Sequence, residues 1–139
     1  MAEYTLFPAK IVTPEGVAFE GEVRELEVTS TAGGLGILAR RAPIVADLKM
    51  GHVRAQMEDG SWTTWASADG FAQAADSTAT VITEETIKID EGAAQYAATT
   101  IERANEKLAS LDSGDENAHA AAMKAIAWGK NIQRLAERK

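Results

Sequence analysis

There is no cysteine among the 139 residues. That excludes disulfides, thiol nucleophiles and thiolate metal sites, and leaves the compartment open. There is also no run of about 18 apolar residues, so the sequence predicts no membrane-spanning helix. The opening Met1-Ala2-Glu3-Tyr4 has neither the basic start nor the apolar stretch of a secretory signal, and none is expected. Histidine occurs twice, at His52 and His119, in no metal spacing and with no nucleophile paired to it. Both read as ordinary surface residues. Proline occurs three times, which leaves long stretches free to form regular structure.

The rest is ordinary for a soluble globular chain: 45% hydrophobic and 25% charged residues. The net charge of −7 is unevenly spread. Residues 1–92 hold 15 acids and 7 bases, and residues 93–139 hold 6 acids and 7 bases. An acidic body argues against nucleic acid or an anionic membrane as its main partner.

Up to about residue 90 the pattern is β. Tyr4–Val12 is strand-like, and Thr13-Pro14-Glu15-Gly16 reads as a turn. Val17–Glu20 is a strand that Gly21 is expected to break, and Glu22–Ser30 is the next. The stretch from Thr31 to Arg54 packs Gly33, Gly34, Gly36 and Pro43 between two strand-like segments. It is expected to be an irregular loop, pinned to the core by Leu35, Ile37 and Leu38, with Arg41-Ala42-Pro43 in a loop or at a sheet edge. Val53–Glu58 alternates cleanly, and Asp59-Gly60 predicts a two-residue hairpin into Ser61–Ser67. Phe71–Ala75, Thr78–Thr83 and Thr86–Ile89 follow. Many short strands at regular spacing indicate a sandwich or barrel.

Near Gly92 the pattern changes. Ala97, Ile101, Ala104, Leu108 and Leu111 recur at helical spacing. Asp112-Ser113-Gly114-Asp115 ends that helix. A second is expected from about Asn117, its candidate cap, with Ala121, Ala125, Trp128, Ile132 and Leu135 on one face. Lys124, Lys130, Arg134 and Arg138 share roughly the opposite face. The domains expected are residues 1–90, a β-sandwich, and residues 91–139, a helical hairpin.

No catalytic constellation assembles. Glu84 and Glu85 are adjacent, and neighbouring strand residues point to opposite faces. Gly33-Gly34-Leu35-Gly36 lacks the Gly-Lys-Ser/Thr ending and following helix of a phosphate loop. Trp62 and Trp65, three apart on a strand, face opposite ways, so one is core and the other a candidate contact. No cofactor is expected. The chain reads as a binding or structural subunit. Two further classes stay open: an unrelated β-sandwich binding module with a helical dimerisation hairpin, and a hydrolase whose site is not legible.

Several blocks, taken in order, carry a resemblance. They are Ile11-Val12-Thr13-Pro14-Glu15-Gly16 with Phe19 and Gly21; Gly33, Leu35-Gly36-Ile37-Leu38 with Ala42-Pro43, Leu48 and Gly51; and Gly70-Phe71-Ala72 with Thr80-Val81-Ile82-Thr83-Glu84 and Ile89-Asp90. Together the chain resembles the epsilon subunit family of bacterial F-type ATP synthases over residues 5–92. The tail matches by helix pattern and length.

The resemblance implies a flattened β-sandwich followed by an antiparallel two-helix hairpin. It implies a non-catalytic place in the central stalk, turning with gamma on the ring of c subunits and coupling proton flow to ATP synthesis. It implies a peripheral position at the cytoplasmic face of the cell membrane, with membrane contact only through the complex. The tail would inhibit ATP hydrolysis through the alpha and beta subunits. On this reading Gly33, Gly34, Leu35 and Gly36 meet the c-ring. Arg40, Arg41, Ala42 and Pro43 meet gamma. Lys124, Lys130, Arg134 and Arg138 form the inhibitory contact. The chain departs from the family at Gly34, where an acid is frequent, at Ala39-Arg40-Arg41 in place of Pro-x-His, and at Asp69 in place of a glycine. Some members bind ATP through Ile/Leu-Asp-x-x-Arg-Ala. Here Ala93 stands at the arginine position, so ATP binding is expected to be weak or absent.

Overall fold

The computed structural model describes residues 5–39, 43–111 and 114–137. The chain divides into two compact units, Met1–Lys88 and Ile89–Lys139.

The first unit is a nine-stranded curled sheet. Its strands are β1 (Phe7–Thr13), β2 (Gly16–Val23), β3 (Glu25–Ser30), β4 (Gly33–Leu38), β5 (Ile44–Gln56), β6 (Trp62–Ser67), β7 (Gly70–Ala75), β8 (Thr78–Thr83) and β9 (Thr86–Lys88). The main order is β2-β1-β8-β7-β5-β3-β4, with β6 on β5 and β9 on β6. Among the described residues only β1 and β8 pair in parallel; the other ladders are antiparallel.

The 13-residue β5 joins the two layers. Ile44–Leu48 pair with β7, and Gly51–Gln56 pair with β6. One strand therefore serves both layers, and a single core fills the space between them. Phe7, Ala9 and Ile11 come from one side, and Leu26, Val28, Ile37, Val53 and Trp65 from the other. Phe19 and Trp65 meet across it at 4.9 Å between ring centroids. Alternate residues point inward, as the pleat requires: in β3, Leu26, Val28 and Ser30 are buried and the residues between them are not.

Several local expectations are corrected. Gly21 does not break its strand; β2 runs through to Val23. The break falls at Arg24, where the chain leaves β1 for β5. The Arg24 N–H donates to the Gln56 carbonyl at 2.7 Å, and its guanidinium donates to the Glu58 carbonyl. Gly33–Leu38 is a regular strand paired with β3 in unbroken register, and not an irregular loop. The turn before it is set by Ser30, whose hydroxyl donates to the Gly33 carbonyl at 2.6 Å and accepts from the Ala32 N–H at 3.2 Å. Gly33 supplies a φ of 121°, open to glycine and closed to most other residues. The Asp59-Gly60 hairpin has three loop residues, since Met57 and Ser61 close it through a backbone bond of 2.8 Å. Gly60, at φ 91°, takes the left-handed position of that longer loop. Glu84 and Glu85 lie in the connection between β8 and β9. Gly70 cannot carry a side chain: a β-carbon there would overlap the Ile82 carbonyl oxygen and lie 2.8 Å from Thr83 Cα.

The second unit holds α1 (Ala93–Ser110) and α2 (Glu116–Glu137). The short connection and the contact of Gly129 with Ala97 and Ile101, each about equally far from it, make them antiparallel neighbours. The cap of α2 is Asp115, one residue before the helix, whose Oδ1 accepts the Ala118 N–H at 3.1 Å; it is not Asn117. The buried side of α2 carries Ala122, Ile126, Trp128, Gly129, Asn131, Ile132 and Leu135. Ala121, expected there, is exposed. Gly129 was missed because a glycine adds nothing to an apolar pattern. Its role is to let α1 come close.

Candidate interaction surface

The register of four strands builds one feature that no single strand shows. Val17 opposes Val12, Val12 opposes Ile82, Ile82 opposes Phe71, and Phe71 opposes Asp47. Opposed residues share a face. Their neighbours Ile11, Val81 and Ala72 point into the core, so this line points out. Val17 is 56% exposed, Phe71 39% and Ile82 37%. Val45, beside Phe71 on β5, is exposed as well.

The line runs between polar rows. On one side lie Glu20 and Lys10, an ion pair at 3.6 Å, then Thr80 and Gln73. On the other lie Asp69, Glu84 and Lys49. Scattered exposed apolar residues are normal, but a contiguous line of them across four strands marks a contact surface. Alternation alone placed Val12, Val17, Phe71 and Ile82 on some face. It did not show that the four would align.

The other layer exposes a different surface. Trp62 carries the Arg54 guanidinium 4.3 Å above its ring, and Arg54 reaches Glu27 at 3.4 Å. Trp65, three residues on, is core. The opposite orientation of the two tryptophans is as the sequence predicts.

The sequence-predicted contact residues fall as follows. Gly33, Gly34, Leu35 and Gly36 form most of β4, at the end of the strand order. Gly34 is exposed, and a β-carbon there would meet nothing within 4 Å. Leu35 packs on the core. Pro43 is exposed and leads directly into β5. Arg40, Arg41 and Ala42 lie outside the described residues, as does Arg138. Lys124, Lys130 and Arg134 are exposed on α2. The Arg134 guanidinium donates to Asn131 Oδ1 at 2.6 Å. The first set lies in the first unit and the tail set in the second.

Among the described residues no group of three or more His, Asp or Glu side chains could hold a metal ion. A recess lined by Phe7, Ile37, Leu38, Ala74, Ala75, Ser77 and Thr78 has a volume of about 10 Å³. That is room for about one water, and far from the few hundred Å³ of a small-molecule site. No helix among the described residues is long and apolar enough to cross a membrane.

The described residues thus offer an outward apolar line on the β-sandwich, and a helical pair follows it in the chain. Residues 6–89 match the family model of the ATP synthase delta/epsilon chain β-sandwich domain. The chain belongs to the ATP synthase epsilon chain family. The epsilon chain of Desulforudis audaxviator is 37% identical over 112 residues, spanning 81% of this chain and 80% of that one. That of Exiguobacterium is 36% identical over 107 residues, spanning 73% and 79%. Among solved structures, a chain of the Euglena gracilis mitochondrial ATP synthase superposes with a TM-score of 0.73 at 18% identity, covering 97% of this chain and 89% of that one. A chain of the Tetrahymena thermophila mitochondrial ATP synthase central stalk and c-ring gives 0.55 at 9% identity. At such identities these two likenesses speak for the fold alone. The family's sandwich-then-helices order is the one observed here.

Proposed function

We propose that the chain is a non-catalytic rotor subunit of the central stalk of an F-type ATP synthase. It docks on gamma and rests on the c-ring at the membrane's cytoplasmic face, and its helical tail restrains ATP hydrolysis at the alpha and beta subunits. The observation that carries the docking part is the outward line of exposed Val17, half-buried Val12 and exposed Ile82 and Phe71. A protein that works alone has no use for such a line on its solvent face. We assign it to the gamma contact, in addition to the segment Arg40, Arg41, Ala42 and Pro43 that the resemblance gives. The c-ring contact falls to β4 through Gly33, Gly34, Leu35 and Gly36, where the bare backbone of Gly34 allows close approach. The tail contact falls to Lys124, Lys130, Arg134 and Arg138.

The test is co-purification. A tagged copy expressed in its own cells should bring alpha, beta and gamma subunits from detergent-solubilised membranes. The double variant Phe71→Ser with Ile82→Ser should bring far less gamma while staying folded. A wild-type preparation free of all three subunits would reject the proposal.

A further inference from the structure

The apolar line ends in a charge. Asp47 is exposed on β5, directly opposite Phe71, with no side-chain partner among the described residues' hydrogen bonds and ion pairs. At the other end Glu15 and Glu20 are exposed near Val17. Bases on this face are few: Lys10, engaged with Glu20, and Lys49. The face therefore has an apolar centre and a negative rim, within residues 1–92, which hold 15 acids and 7 bases.

The line is one residue wide over β2, β1 and β8, and beside Phe71 it widens to take in Val45. Crossing four strands, it spans three inter-strand spacings, or about 14 Å. That is about ten residues of α-helix, close to three turns. A narrow apolar line crossing the strands fits the stripe of an amphipathic helix. The side chains flanking that stripe would sit over the polar rows. Lysine and arginine suit that position, since their stems cover apolar surface while their charged ends reach the rim.

Resting on the reading that this face meets gamma, we propose a narrower recognition. The face takes an amphipathic helix of the partner. The apolar stripe lies along Val17, Val12, Ile82 and Phe71, and a lysine or arginine at one end of the stripe pairs with Asp47. Asp47 then sets the direction in which the helix lies, and the negative rim speeds its approach. Charge at a rim acts mainly on association rate and salt dependence, and apolar contacts act mainly on dissociation.

The experiment measures binding kinetics of the full chain to purified gamma at 50 and 500 mM salt, both conditions of the test. Wild-type association should slow by about tenfold or more as salt rises. Asp47→Lys should associate about tenfold more slowly at low salt and lose most of that salt dependence. Phe71→Ser with Ile82→Ser should dissociate faster, with its salt dependence kept. If the apolar variant weakens binding and Asp47→Lys behaves as wild type, the recognition proposed here is overturned and the docking reading stands. If neither variant changes binding, both are overturned. All three substitutions are at exposed positions outside the core, so circular dichroism of each should match wild type.

Discussion

Thr29 fills the space that a side chain at Gly51 would need. A β-carbon built on Gly51 would lie 2.6 Å from Thr29 Cβ and overlap its hydroxyl. Here β5 carries Lys49, Met50, Gly51 and His52 opposite the single residue Thr29, and the ladder is interrupted. The Thr29 hydroxyl bridges the gap. It accepts the His52 N–H at 3.0 Å and donates to the His52 carbonyl at 3.2 Å. Asp69 plays a similar part for Met50, accepting its N–H at 3.0 Å. The bulge turns β5 from one layer to the other, so this contact decides how the sandwich closes.

Gly51→Ala should therefore destabilise the chain by about 1–3 kcal/mol, the usual range for overpacking. Thr29→Ala alone should cost about 1–2 kcal/mol for the lost hydrogen bonds. Adding Thr29→Ala to Gly51→Ala should cost less than the sum, because the clashes with the hydroxyl and the methyl are gone while that with the residue's β-carbon stays. Urea unfolding of the four-member cycle measures this coupling. Strict additivity would mean that the two residues do not oppose each other.

Gly129 makes a similar claim for the helices. A β-carbon there would lie 2.6 Å from Ile101 Cγ1 and 3.2 Å from the Ala97 carbonyl oxygen. Alanine is better than glycine in a helix by about 1 kcal/mol. Overpacking should outweigh that gain, so Gly129→Ala should lower stability. In an Ile101→Ala background, where only the 3.2 Å approach to the Ala97 carbonyl remains, the same change should cost much less. Amide exchange in α1 and α2 reads both.

Asp59 gives the hairpin between β5 and β6 an acid dependence. Its Oδ1 accepts from the Ser61 hydroxyl at 2.7 Å and from the Ser61 N–H at 2.9 Å. These bonds, the hydroxyl first, hold the carboxyl below its ordinary value of 3.8. A depressed pKa contributes stability that is present above the unfolded value and lost as pH falls through the folded one. Wild type should thus be more stable than Asp59→Ala at neutral pH. The gap should close only below about pH 4, where the unfolded carboxyl takes up its proton. Urea midpoints between neutral pH and about pH 2.5 test this; a gap unchanged across that range would exclude the carboxylate as its source.

Removing residues 93–139 should raise ATP hydrolysis by the assembled enzyme and leave assembly intact. The exposed Lys124, Lys130 and Arg134 motivate this. Cations also suit the end of a helix, so truncation is paired with charge reversal of Lys124 and Lys130, which lie before the last turn. Both should raise the rate. Equal rates in all three enzymes would remove the inhibitory role.

ATP should bind the isolated subunit weakly or not at all. The residue at the arginine position of the family's nucleotide motif is Ala93, only 1% exposed at the start of α1. A methyl group cannot grip phosphate as a guanidinium does. Asp90 is already engaged, its Oδ1 accepting the Gly92 N–H at 2.9 Å. Isothermal titration that gave a low micromolar dissociation constant would show that other residues compensate.

The sequence alone determined whatever depends on near neighbours. Period-two alternation placed most of the strands, and i, i+4 spacing placed both helices with the change near Gly92. The opposite orientation of Trp62 and Trp65 followed from the pleat, and the collinear motifs identified the family. The alternation, the helical spacing and the tryptophan orientation are relations between residues a few positions apart, where backbone geometry is the only arbiter. The tertiary structure decided what depends on register and close approach. Gly33–Leu38 became a strand because β3 offers it a full ladder, though its glycines alone predict an irregular loop. Gly129 became a helix contact because Ile101 and the Ala97 carbonyl come within reach of it. The line Val17, Val12, Ile82 and Phe71 exists only because β1 pairs with β8, nearly seventy residues away, in one register. A shift of one residue would turn half of that line into the core. Alternation says that a side chain faces one side or the other. Only the assembled sheet sets which side chains stand next to each other across it.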